Sequence, residues 1–466
     1  MNNTSLQYES LSPTKNPTHL EISKTIGEPS PYNNNKLGIL ILLSLYFIQG
    51  IPLGLFDASI PFLLIDRGVD FLDLGLLSFF SYPFALKILF APFEDTHFSA
   101  KFGKRKSFVI PCQYLLALMF LVSGVFIETL LNEKDVLALT ILGFLMTMMA
   151  ALQDIAVDGW QLTLLDEGWL VWGSVAQSIG QTTGSLFGSS VFIQLNSLKF
   201  CNDYIYSEKS DKPILEISTF FYIVAGVILI ITILVHFLKQ ERNPKSSNEH
   251  KTILEVVKSL KGFFQNKNLK FLIFHLLVWR LGFCIVTSTF AVTLIKKGLS
   301  KETFMNILTG LIPLSFIVSF LAGKTNGKGL EMKIYLRLYL LKILDNVLLF
   351  LVVMFYQEGT FFFVLLGLGQ AFSIMIQTGM FVLYGGFANR ISDLDVGGTY
   401  LTFLNSIHNL GNMLTGSVAY YMVATFDYQM LVFISWGFAI GYFLVFRKEI
   451  ERIGKIPKEE WALKTQ

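Results

Sequence analysis

The stretch FLDLGLLSFFSYPFALKILFAPFEDTHFSAKFGKRK, Phe71 to Lys106, carries a lone cation, Lys87, inside an apolar run that stops at Glu94 and Asp95. It then turns through Phe102-Gly103-Lys104-Arg105-Lys106. The run is long enough to cross a bilayer as a helix, and the charges after it mark the side on which the chain emerges. An ionisable side chain inside such a run is expensive and normally faces a polar cavity, the pattern expected of a transporter.

Outward from this segment the same chemistry recurs. Of the 466 residues 53% are hydrophobic and only 15% charged, too apolar a balance for a soluble protein of this length. Mean hydropathy is +0.55. Apolar stretches of spanning length repeat at loop-like spacing, and runs of that length choose helices over a barrel. The first 36 residues are polar, rich in Asn, Ser and Pro, and read as a disordered tail without an apolar signal region. The net charge of +3 is too small to point to nucleic acid, and no such partner is expected. Cys112 and Cys284 lie inside apolar runs, which leaves Cys201 alone in a loop and makes a disulfide framework improbable.

Hydropathy predicts twelve spans near 37–57, 71–92, 107–127, 136–160, 169–193, 216–238, 268–294, 302–323, 333–355, 360–384, 396–424 and 428–447. With the N-terminus inside, 25 Lys and Arg fall in inside segments and 8 in outside loops, which puts both termini in the cytosol. In the linker 239–267, Ile253, Val256, Val257, Leu260, Phe263 and Phe264 recur at helical spacing among Lys258 and Lys261. This predicts an amphipathic helix at the cytosolic interface, with a solvated loop as the alternative. A shift of 228 residues lays Gln177-Ser178-Ile179-Gly180-Gln181 on Asn405-Ser406-Ile407-His408-Asn409, and Gly188 on Gly416. Two parallel six-helix halves, 37–238 and 268–447, follow from that repeat, with a cytosolic tail at 448–466.

Polar residues within the spans are the candidate working groups. Gln177, Gln181, Gly184 and Gly188 form one face of span five, and Asn405, His408, Asn409, Asn412 and Gly416 one face of span eleven. These faces either line a central cavity or pack helices closely through small residues and interhelical amides. Arg280, beside Trp279 in span seven, cannot shed its proton and needs a carboxylate or an anionic ligand. Lys87 is the other embedded cation, unless it snorkels. Trp279 would stack on a solute or simply pack. Asp154 and Asp158 share a helical face and would pair with Lys87 or Arg280, gate the cytosolic side or take part in proton coupling. Lys342 and Asp345, one turn apart, should neutralise one another. Asp95, Lys104 and Arg105 form a charged turn that either gates or merely anchors the chain on its positive side. No nucleophile, metal cluster or phosphate loop appears at motif spacing, so neither an enzyme nor a cofactor is expected.

The order and spacing of several motifs resemble a known family. These are Gln49-Gly50-Ile51-Pro52-Leu53-Gly54-Leu55 with Ser59-Ile60-Pro61, Tyr82-Pro83-Phe84, Leu86-Lys87, Ala91-Pro92 and Asp95. They continue with Gly103-Lys104-Arg105-Lys106-Ser107, Pro111, Gln113-Tyr114, the run Gln153 to Trp160, Gly180-Gln181-Thr182 and Phe200-Cys201-Asn202. Asp345, Tyr384-Gly385-Gly386-Phe387 and Thr399-Tyr400-Leu401-Thr402 extend the likeness more loosely into the second half. Together they look like the acetyl-coenzyme A transporter family, solute carrier family 33, of the major facilitator superfamily.

The resemblance implies an all-α membrane protein of about twelve transmembrane helices with the major facilitator fold. It implies alternating access that moves acetyl-CoA from the cytosol into the endoplasmic reticulum lumen, with CoA as a counter-solute. The plasma membrane is the alternative location, and the protein would work in the bilayer as a monomer or homodimer. On this reading Lys87 and Arg280 meet phosphates, while Gln177, Gln181, Asn405, His408, Asn412 and Trp279 line the path. The alternatives are a permease for another organic anion or a sugar-peptide, and a membrane acetyltransferase.

Overall fold

The apolar runs become helix because within lipid the backbone can satisfy its N–H and C=O groups only inside a helix or a closed barrel. The computed structural model describes residues 34–69, 71–99, 102–238, 264–326, 329–392 and 397–461, and among these there is no strand. Twelve helical segments, some of them broken, follow one another among the described residues. The first half holds α1 (Asn35–Asp66), α2 (71–96), α3 (Lys106–Ser123), α4 (Val136–Leu164), α5 (171–196) and α6 (Ile217–Leu238). The second holds α7 (267–296), α8 (301–325), α9 (Glu331–Met354), α10 (Thr360–Ile391), α11 (Gly397–Thr425) and α12 (Tyr428–Gly454). Seven are individually long and apolar enough to cross a membrane, eight when the bent α7 is taken as one span. Of the other four, α2 falls short because it is divided into short pieces, whereas α5, α9 and α11 carry glutamines, charges that include Lys342 and Asp345, and asparagines.

Several boundaries differ from the hydropathy reading. The apolar signal of α1 breaks at Asp57, yet the helix continues to Asp66 through a π-helical turn at Leu55–Ser59. Helices α10 and α12 overrun their predicted ends to Ile391 and Gly454. Beyond α12 a short turn, Lys458–Trp461, buries Trp461 against the ring of Phe387, so the tail begins as packed structure. A helix ends where its capping and packing end, whereas hydropathy stops at the first charges. The amphipathic linker helix and the N-terminal tail fall almost wholly outside the described residues.

Each half packs its own apolar cores, one of them around Phe56, Phe120, Phe220 and Phe221, another around Phe290, Phe350 and Val432. Helices α1 and α5 approach more closely than side chains allow. A methyl on Gly54 would lie 1.9 Å from the Ser185 carbonyl oxygen, and one on Gly184 2.0 Å from that of Phe47. Glycine at both surfaces brings the backbones together, the small-residue packing that holds helices in lipid, where the hydrophobic effect between helices is absent.

Candidate functional site

Both embedded cations lie where their helices break. In α2, Pro83 and Pro92 divide the span into short pieces, and Lys87 occupies a 3-10 turn at Lys87–Leu89. In α7 the helix bends by 57°, and Trp279 and Arg280 occupy the 3-10 turn Trp279–Gly282 at the bend. Unwound backbone at membrane depth is tolerated where it is buried in protein or lines a cavity. Here it borders a cavity between the halves with two lobes, of about 320 and 200 Å³. Gln181, Phe381 and His408 border both.

The smaller lobe is organised by Lys87. Its ammonium, 1% exposed, binds Asp154 and reaches Asp158 at 3.3 Å. The two carboxylates lie four residues apart on α4, so they converge on one cation. Asp158 also accepts from Tyr46 of α1 at 3.0 Å and from Asn405 of α11 at 2.8 Å. Lys87 therefore does not snorkel: it is committed to carboxylates.

The larger lobe is the opposite. Arg280 lines it, and among the described residues no carboxylate or hydrogen-bond acceptor engages its guanidinium. Lys342 lines it too, with Asp345 at 2.6 Å, Ser373 donating to the same carboxylate oxygen at 3.1 Å and Gln377 donating to Ser373 at 3.0 Å. The ion pair expected of Lys342 and Asp345 is present, and Lys342 borders the same lobe as Arg280. Trp279 Nε1, His408 Nδ1 and Asn412 Oδ1, on residues lining this lobe, have no hydrogen-bond partner among the described residues. Buried polar atoms without partners are uncommon in folded proteins, which marks the lobe as a place built for a polar ligand.

The eight residues singled out as lining, Lys87, Gln177, Gln181, Trp279, Arg280, Asn405, His408 and Asn412, all border one lobe or the other. The face of α5 divides, however. Gln177 and Gln181 meet the cavity, with Gln181 donating to Gln49 at 3.0 Å, while Gly184 and Gly188 pack on α1. The amides border the cavity, and the glycines serve helix packing, because the two sets occupy adjoining stripes of one helix. Gln377, Tyr384 and Tyr335 also line the cavity and were not anticipated. In α10 the spacing Gln370, Ser373, Gln377 carries the same polar-face signal that marks α5 and α11.

In the charged turn after α2, Arg105 is buried on Glu94 at 3.3 Å and against Gly159 of α4. Lys104 lies over the Phe98 ring at 5.8 Å, and the side chain of Asp95 lies outside the described residues. Between the halves, hydrogen bonds gather toward the end carrying the termini. Besides Asn405 to Asp158 they include Gln161 to Asn389 at 3.3 Å and Asn326 to Ser174 at 3.4 Å. At the opposite end the described bond is an exposed one, Gln194 to Asn306 at 3.2 Å. The cavity is closed toward the termini.

A family model described as Acetyl-coenzyme A transporter 1 matches residues 38–252 and 327–435. An uncharacterized protein of Schizosaccharomyces pombe is 30% identical over 396 residues, 84% of this chain and 75% of that protein. The human organic anion transporter TETRAN superposes with a TM-score of 0.64 at 13% identity, over 88% of this chain and 99% of its own. The major facilitator superfamily transporter FucP, in the outward conformation, gives a TM-score of 0.59 at 15% identity over 89% of this chain and 98% of its own. At such identities the likeness is one of fold, that of major facilitator transporters.

Proposed function

We propose that this chain, which belongs to the acetyl-coenzyme A transporter 1 family, carries acetyl-CoA from the cytosol into the endoplasmic reticulum lumen by alternating access, with CoA returning in exchange. The family and the fold are those of membrane transporters rather than enzymes. The observation that carries the choice of solute is Arg280. A permanently charged guanidinium lines a cavity between the halves without a protein carboxylate among the described residues, and such a group calls for an anionic ligand.

The cavity has the other features such a solute needs. Amides of Gln177, Gln181, Asn405 and Asn412 offer donors and acceptors to a pantetheine-like chain, and Trp279 offers an apolar face. With the termini in the cytosol, as the Lys and Arg bias indicates, the described arrangement is closed to the cytosol. Admission of solute from that side then requires the bonds of Asn405, Asn389 and Asn326 to part as the halves rock about the site.

Liposomes containing the purified protein test the reading through uptake of labelled acetyl-CoA with and without CoA inside. Uptake stimulated by internal CoA is expected. Absence of uptake by folded protein would move the assignment to another anion and leave the fold untouched.

A further inference from the structure

We infer that Lys342, ion-paired though it is, acts with Arg280 as the second cation of a phosphate subsite in the C-terminal half, positioned by Asp345 and Ser373. The inference rests on the transport reading above and names the part of the solute that the larger lobe takes, a phosphate or diphosphate group.

Lys342 and Arg280 both border the lobe, whereas Asp345, 0% exposed, is not among the residues that line it. The donors of the ammonium can then be counted. An ammonium has three N–H groups. Asp345 Oδ2 at 2.6 Å takes one and Ser373 Oγ at 3.4 Å takes a second. Ser373 spends its single proton on Asp345 at 3.1 Å and accepts from Gln377 at 3.0 Å. Its two lone pairs are then filled by Lys342 and Gln377, and one ammonium proton is left without an acceptor among the described residues. Asp345 Oδ1 is likewise buried without a partner there.

Charge decides which ligand. Lys342 and Asp345 cancel, so Arg280 leaves the larger lobe with one positive charge in excess. In the smaller lobe the cation, Lys87, is already held by Asp154 and Asp158 and is not free for a phosphate. A solute with phosphates at one end and a neutral thioester chain at the other is thereby oriented. Its phosphates lie against Arg280 and Lys342, and its chain points toward Gln177 and Asn405. Phosphate takes several charge-assisted hydrogen bonds at once, which suits two cations sharing one lobe. The unpartnered Trp279 Nε1, one residue from Arg280, adds a neutral donor at the same place.

The test is calorimetric titration of the full-length protein in detergent with CoA, adenosine 3′,5′-bisphosphate, phosphate-free pantetheine and inorganic phosphate. The informative variant is K342Q/D345N, which replaces the pair by neutral groups of similar shape and leaves the net charge of the lobe unchanged. CoA and the bisphosphate should bind about tenfold more weakly, as loss of one charge-assisted bond predicts, while pantetheine binding stays the same. Unchanged CoA affinity in this variant would make Lys342 structural and overturn the inference, with the transport reading intact. If the wild type binds the bisphosphate but not CoA, and the variant loses it, the subsite stands and the acetyl-CoA reading fails. Inorganic phosphate binding as tightly as the bisphosphate, with the same loss in the variant, supports the subsite and assigns it to free phosphate. Should the double variant fail to fold, Gln377→Glu sets a carboxylate in the same lobe with the ion pair intact. Phosphate ligands must then weaken at least about tenfold, and unaltered affinity sinks the proposal.

Discussion

Asn405 of α11 donates to Asp158 of α4 at 2.8 Å, and so ties the C-terminal half to the carboxylate that also receives Lys87 and Tyr46. One buried acid thus joins α1, α2, α4 and α11 at the closed end of the cavity. Replacing Asn405 by Ala removes the bond between halves and leaves the Lys87 cluster whole. Stability should change by only about 1 kcal/mol, while spin-label distances across the termini end should lengthen as the open state gains population. An unaltered distance distribution would show that this bond has no part in closure.

Lys87 and Arg280, read alike from the sequence, should behave in opposite ways. Lys87→Met strands two buried carboxylates, a loss of about 3–5 kcal/mol, and thermal unfolding in detergent should report it. Arg280 has no carboxylate partner among the described residues, so Arg280→Gln should keep the wild-type melting temperature while uptake is lost, and Arg280→Glu should do the same. Wild-type transport by either Arg280 variant would remove this residue from the site.

The contact of α1 with α5 permits no side chain at its centre. Gly54→Ala puts a methyl 1.9 Å from the Ser185 carbonyl oxygen, and backbone cannot yield as a side chain can. Overpacking of this kind costs about 1–3 kcal/mol or more. Gly416→Ala, whose methyl would come no nearer than 3.9 Å to Ser288, should unfold with the wild type. Equal melting temperatures for the two variants would refute the close approach.

At the closed end, a methyl on Gly385 of α10 would stand 2.7 Å from the Ser174 side chain of α5. Gly385→Leu should wedge the halves apart there. Cysteines placed on the side of the cavity that carries the termini should become more reactive toward a membrane-impermeant thiol reagent, and uptake should slow. Unchanged labelling would mean that the halves do not need to meet at this point.

The polar stripe on α11 was legible because Asn405, His408 and Asn412 recur at the helical period, and period alone decides which residues share a face. The matching stripe on α5 was read too broadly. Its glycines lie beside the glutamines, and only the proximity of α1 separates packing from lining. The continuation of α1 past Asp57 was hidden for a similar reason. A charge stops a hydropathy window, but a helix stops only where its backbone bonds lose their partners.

The chain alone already implied a helical membrane bundle with cations embedded in its spans. Apolar length and composition are properties of the chain, and lipid leaves the backbone few other forms. Only the folded arrangement pairs Lys87 with carboxylates, leaves Arg280 without one among the described residues, and brings Lys342 with its partner Asp345 to the lobe that Arg280 lines. Lys87 and Asp154 are 67 residues apart, and Asn405 and Asp158 are 247 apart. Whether such charges meet depends on how helices cross and which face each turns inward, and a few kcal/mol of packing and hydrogen bonding, spread over the whole bundle, sets that geometry.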